Sequence, residues 1–198
     1  KNKVVAGGIY TEADASGDIH KYCVNLGHVL SSKYGVKFKF NEQVKDIHGL
    51  DAPIVSTNKE DIPFDKVIIC AGVKTQEFRN KFGDNFRIYP VKGYSITIDL
   101  DDETSRNAAP YVSIKDDNSK IVSSRLGNRL RVAGTAELAG ENKEIKKERI
   151  TPLVEWVNDC FPEINTDNFI TWAGLRPMTS DMVPVMRESK RKNVFYNS

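Results

Sequence analysis

The sequence predicts an α+β fold with α/β elements, in which a mostly antiparallel β-sheet is flanked by helices. Three observations carry this reading. From Asp18 onward Ile19, Tyr22, Cys23, Leu26, Val29 and Leu30 recur at helical spacing. In "KVIICAG" residues 67–70 are apolar without alternation, as in a strand covered on both faces. Between residues 90 and 134 several short runs alternate apolar and polar side chains, as antiparallel strands with one buried face do.

The elements follow in order. Asp18 is a natural N-cap for the first helix, and Gly35 stands just past its end. "VKFKF", with Val36, Phe38 and Phe40 between lysines, predicts a strand. "NEQVKDI" leads into a polar excursion over residues 48–66 that predicts a hairpin or small meander. The strand in "KVIICAG" ends in Ala71 and Gly72, small residues that permit close approach. Ligands collect at the carboxyl ends of parallel strands, and strands also end in small residues for packing reasons alone. "KGYSITIDL" alternates through Tyr94, Ile96, Ile98 and Leu100, "YVSIK" and "KIVSSR" flank the turn "DDNS", and "LGN" precedes "RLRVAG". Ile150, Leu153, Val154, Val157 and Phe161 share a helical face, with Pro152 expected to start or kink that helix. Extended segments return around residues 170–176 and 194–196. The expected division is residues 1–86, 87–183 and a return segment, 184–198.

Composition narrows the function. Lysine and arginine number 29 against 27 acidic residues, and the basic runs at 143–149 and 188–193 are short, so no nucleic-acid partner is expected. Cys23, Cys70 and Cys160 lie far apart with no C-x-x-C pair, which argues against a disulfide framework or zinc site and for a reducing compartment. Cys70, in a buried strand, is expected to pack as a small hydrophobe. No apolar run approaches the roughly 18 residues of a membrane span, and the opening residues lack a signal-peptide core. His20, His28 and His48 form no metal-spaced group, and no nucleophile elbow or phosphate loop occurs, so no catalytic side chain and no metal site is assigned. Both ends fall within apolar material, which predicts an internal segment of a longer protein.

Arg176, in "TWAGLRPMTSDMVPVM", is the charge that needs explaining. It precedes Pro177, which biases it to an extended backbone, and follows Trp172 and Gly174. A planar fork of five donors there suits either an internal ion pair, with Asp181 as the partner across the turn, or bidentate recognition of a substrate carboxylate. Tyr94 and Tyr111, expected on neighbouring sheet strands, are either core residues or phenolic donors to the same pocket.

Read together, "GDIHKYCVNLGHVLSSKYGVKFKFNEQVKDI", "VIICAG", "YPVKGYSITI", "NRLRVAGTAEL" and "WAGLRPMTSDMVPV" resemble successive blocks of the D-amino-acid dehydrogenase small-subunit family. These are flavoproteins of the wider D-amino-acid oxidase and glycine oxidase superfamily. The pairing of "YPVKGYS" with "GLRPMT" and a following Asp-x-x-Pro is the more specific part of the match. The resemblance implies the middle of such an enzyme: part of an FAD-binding domain, without its G-x-G-x-x-G unit, plus the substrate domain. It assigns Arg176 to the substrate carboxylate, and Val44, Cys70, Ala71 and Gly72 to FAD; beside these, Tyr94 and Tyr111 are expected with Arg176 at the substrate and Gly174 on the cofactor side. Cys-Ala-Gly stands where the usual pattern is Ala-Thr-Gly. The implied reaction is oxidative deamination of a D-amino acid to a 2-oxo acid and ammonia, with electrons passing to a quinone-type acceptor. An oxygen-using glycine, sarcosine or D-amino-acid oxidase and a non-catalytic interaction domain are the competing readings. The parent is expected in the cytoplasm or peripherally on the inner membrane, and the chain by itself is expected not to retain FAD.

Overall fold

The computed structural model describes residues 7–198. They divide into two compact units, one formed by the described residues up to Leu30 together with Lys92–Gly174, the other by Ser31–Val91 and Leu175–Ser198. The first helix, α1 (Ile19–Tyr34), runs across the Leu30/Ser31 boundary. Its cap is as the sequence predicts: the Asp18 carboxylate accepts from the backbone amides of His20 and Lys21 at 3.0 and 3.2 Å. None of its side chains is buried, so its apolar stripe meets no core among the described residues.

In the Ser31–Val91 and Leu175–Ser198 unit, β1 (Val44–His48), β2 (Ile54–Thr57) and β3 (Asp61–Pro63) form the expected antiparallel meander. The strand predicted for "VKFKF" does not form. No described neighbour offers it a ladder; instead Phe38 and Phe40 stack on each other at 5.7 Å, and Lys39 pairs with Glu60. β4 (Val67–Ile69) pairs in parallel with β11 (Val194–Asn197), which pairs antiparallel with β10 (Met186–Glu188). Only one face of β4 is covered: Ile69 is buried, whereas Ile68 is 64% exposed. Cys70 lies beyond the strand and is exposed, which corrects its reading as a packed thiol. A 3-10 turn, Gly72–Lys74, then leads into α2 (Thr75–Phe82), a helix too short and polar for its apolar period to stand out. Phe78 and Phe82 of α2 pack on a core of Ile47, Ile69, Ile88, Val185, Val194 and Tyr196.

A polar node sits within that unit. Asp84, almost fully buried, accepts from the Ser189 hydroxyl at 2.6 Å, the Tyr196 hydroxyl at 2.7 Å and the Lys190 amide at 2.8 Å. Burial pushes its carboxyl up, but these donors together hold it below the ordinary carboxylate value. The Tyr196 phenol is raised, by burial first and by the hydrogen bond to Asp84.

The other unit is built on a five-stranded sheet of β5 (Tyr89–Asp99), β6 (Ile114–Asp116), β7 (Ile121–Leu126), β8 (Arg129–Glu137) and β9 (Ile170–Met178). Its strand order is β6-β7-β8-β5-β9, and the pairs β6/β7, β7/β8 and β8/β5 are antiparallel. Between β5 and β6 lies α3 (Glu103–Ala108), capped by the Asp102 carboxylate, which accepts from the Ser105 amide at 2.7 Å. The helix α4 (Lys147–Cys160) holds Pro152 inside rather than at its start, and buries Ile150, Leu153, Trp156 and Val157. These side chains pack with Tyr94, Ile96, Ile98, Leu130 and Val132 into one core. Alternation along β5 and β8 therefore turns Ser95, Thr97, Arg131 and Ala133 to the opposite face.

Candidate functional site

Arg176 stands on β9 and is exposed. Period two puts it on the same side of the strand as Trp172 and Gly174, whereas Ala173 packs against the core. The sequence placed its guanidinium in an apolar wall; the structure has the residue exposed. Gly174 is buried by the Trp172 indole. A Cβ built on it would come within 2.0 Å of the ring, so any larger residue here requires the indole to shift.

Tyr94, 1% exposed, belongs to the core of the sheet. Its hydroxyl donates to Glu137 Oε2 at 2.5 Å. The same carboxylate receives Lys92 Nζ at 2.9 Å and, on Oε1, Lys146 Nζ at 2.6 Å. Lys92 is fully buried and also donates to the Glu144 carbonyl at 3.0 Å. The hydrogen bond from Lys146 is the largest of the effects that push the Glu137 carboxyl down to about 2, followed by those from Tyr94 and Lys92 and opposed by burial. The network ties β5 and β8 to the segment entering α4. Sequence reading passed over Lys92, Glu137 and Lys146, because lysine and glutamate inside alternating strands look like solvent-facing residues; Lys92 shares the face of Tyr94, and the register shift opposite them, with its extra residue on β8, brings Glu137 to the same side.

Tyr111 is not on a strand. It lies in the loop before β6, exposed, with the Arg125 guanidinium carbon 4.6 Å from its ring centroid. That arginine also donates to the Ala109 and Gly127 carbonyls, which fixes it under the ring. The structure thus places Tyr94 and Tyr111 in different environments rather than side by side.

The residues assigned to a cofactor fall into two groups. Val44 opens β1 and is exposed, and Cys70 and Ala71 are exposed at the carboxyl end of β4. Gly72 follows with φ 55°, and a Cβ there would meet nothing within 4 Å. An accessible backbone of small residues at the end of a parallel strand fits close approach by a dinucleotide. Gly174, covered by Trp172, presents no such open backbone. Among the described residues no group of His, Cys, Asp or Glu is placed to hold a metal ion.

Comparison with known proteins follows the same lines. The family model described as FAD dependent oxidoreductase (DAO) matches residues 2–198. The chain belongs to this family. It is 45% identical over 197 residues to D-amino acid dehydrogenase 3 of Mesorhizobium japonicum, covering 97% of this chain and 48% of that protein. D-amino acid dehydrogenase 2 of the same organism is 36% identical over 98% of this chain and 47% of its own length. The chain thus spans about half the length of the curated relatives it matches. Among solved structures, glycine oxidase from Geobacillus kaustophilus superposes with a TM-score of 0.67 at 20% identity, over 79% of this chain and 42% of that one. That likeness fixes the fold as the one FAD-dependent oxidoreductases of this family share, in agreement with the α+β class expected from the sequence. Among the described residues no helix is long and apolar enough to cross a membrane.

Proposed function

We propose that the protein to which this chain contributes is an FAD-dependent D-amino-acid dehydrogenase, converting D-amino acids to 2-oxo acids and ammonia and passing electrons to a quinone-type acceptor. The observation that carries the reading is the 45% identity to a D-amino acid dehydrogenase across 97% of the chain.

On this reading the residues take the following roles. Arg176 receives the substrate carboxylate in a bidentate pair, which fixes the α-carbon and presents the hydrogen of one enantiomer. Pro177 and the β9 ladder keep its backbone extended. Tyr111, whose hydroxyl has no partner among the described residues, is the phenol available to a ligand. Tyr94 serves indirectly, holding β5 to β8 through Glu137. The exposed backbone at Val44 and at Cys70, Ala71 and Gly72 would hold FAD. When bound, FAD supplies the hydride acceptor. The amine must be neutral when the α-hydrogen leaves, and no side-chain base is assigned to that proton.

The test is anaerobic bleaching of the flavin in the full-length protein by a panel of D- and L-amino acids. Wild type should be bleached by D-amino acids, and Arg176→Ala should need roughly a hundredfold more substrate, the loss of about 3 kcal/mol expected for a charge-assisted pair. A folded, flavin-loaded variant that responds like wild type would remove Arg176 from the site. Reoxidation by a soluble quinone faster than by oxygen is the expected acceptor preference; the reverse order would make the enzyme an oxidase.

A further inference from the structure

The sheet face opposite α4 carries two polar groups that the described protein leaves unused. Arg131 stands in the middle of β8, between the buried Leu130 and Val132, and points to the other face. Its guanidinium carbon lies 5.3 Å from the ring centroid of Trp172, itself 53% exposed. Among the described residues the fork meets neither a carboxylate nor any other hydrogen-bond acceptor. A half-buried arginine over an indole, with its donors unspent, suits a planar anion.

The second group is Ser95, 1% exposed, whose hydroxyl has no hydrogen-bond partner. Buried hydroxyls are nearly always satisfied, so an orphan calls for an explanation. Register brings the two groups together. Ser95 lies opposite Ala133 and Thr97 opposite Arg131, which makes Ser95 and Arg131 diagonal neighbours, roughly 7–8 Å apart at the backbone and within reach of a long side chain. A fork of donors plus one hydroxyl matches the two oxygens of a carboxylate. It undersupplies a phosphate, which recruits more cations and backbone amides.

We propose that Arg131 and Ser95 form a carboxylate subsite, with Trp172 as the platform that fixes the plane of the guanidinium. On the reading given under Proposed function, on which this rests, the carboxylate is that of the substrate side chain, and the substrate class is the acidic D-amino acids. Arg131 is then a specificity-determining residue.

Two measurements decide it. Binding of glutarate to the chain, read by ligand-observed saturation-transfer NMR, requires neither flavin nor turnover. Arg131→Gln should weaken it on the order of a hundredfold, Ser95→Ala less, and Arg131→Lys, which keeps the charge and loses the fork, should fall between wild type and Arg131→Gln. In the full-length flavoprotein the ratio of kcat/KM for D-glutamate to that for D-glutamine should exceed one and collapse by a similar factor in Arg131→Gln. Equal glutarate binding by wild type and Arg131→Gln overturns the subsite. A protein that oxidises D-amino acids with a ratio unchanged by Arg131→Gln overturns the substrate class while the proposed reaction stands. A protein that oxidises no D-amino acid overturns the reaction, and glutarate binding still decides the subsite.

Discussion

Substituting Gly174 by alanine tests whether the Trp172 indole is seated as the structure shows. The added Cβ would lie 2.0 Å from Cη2, 2.6 Å from Cζ2 and 2.7 Å from Cζ3 of that ring. Carbon atoms rest at about 3.5–4.0 Å, so the ring must retreat by roughly 1.5–2 Å. The far end of a half-exposed side chain can move, which makes the cost that of overpacking, about 1–3 kcal/mol, rather than of a backbone rearrangement. Retreat also lifts the ring from Arg131, and a cation–π contact at a partly exposed site adds about 0.5–1 kcal/mol. Urea unfolding of Gly174→Ala should therefore show a midpoint loss equivalent to about 1.5–4 kcal/mol at unchanged slope. In a Trp172→Ala background the same substitution should cost less than about 0.5 kcal/mol, because its collision partner is gone. A neutral Gly174→Ala, or an equal cost in both backgrounds, would refute the packing argument and with it the claim that Trp172 fixes the guanidinium of Arg131.

Three further outcomes are expected. Glu137 has a folded-state pKa depressed to about 2, so the stability it contributes is complete above its ordinary value near 4.5 and disappears as pH falls from there through about 2; thermal melts between pH 5 and 2 should show that loss in wild type and a flatter profile in Glu137→Gln. Leu153, fully buried on α4, should cost about 2–5 kcal/mol on truncation to alanine, measured by denaturant unfolding. Gly72→Ala meets no steric obstacle yet must hold φ 55°, so it should cost about 1–2 kcal/mol, and Gly72→Asn should cost less, because asparagine tolerates the left-handed region.

Alternation made the central sheet legible. "GYSITID" and "RLRVAG" assign each residue to one of two faces, and the structure keeps that assignment through residues 94–98 and 129–133. The first helix was equally clear, because Asp18 and Gly35 punctuate it. Pattern failed where the partner element decides the outcome. Val36, Phe38 and Phe40 carry a strand's alternation but find no neighbouring strand among the described residues, and the two phenylalanines satisfy each other. Short helices were missed for the opposite reason: α2 and α3 are held by caps and by two or three packed side chains, too few to give a period. At the candidate site, Arg176 drew attention as a charge beside a proline, yet its exposure could not be read from sequence. Tyr94 was legible as a sheet residue, but the carboxylate that takes its proton donor lies 43 residues away and is brought in by β5/β8 pairing.

The two faces of that sheet explain why the lysine at position 92 and the arginine at position 131 have such different fates. Lys92 emerges at a bulge on the α4 side, in a closed region, and a charge there is tolerable only because Glu137 and the Glu144 carbonyl meet it. Such a group is committed; any ligand would have to displace a carboxylate at 2.9 Å. Arg131 emerges on the other side, among Ser95, Thr97 and Ala133, where no described anion has been supplied and the one contact, Trp172, orients the fork without consuming a donor. The internal charges thus sort by whether their counter-ion is built in. Structural roles belong to the face that supplies its own carboxylate, and recognition belongs to the face that lacks one.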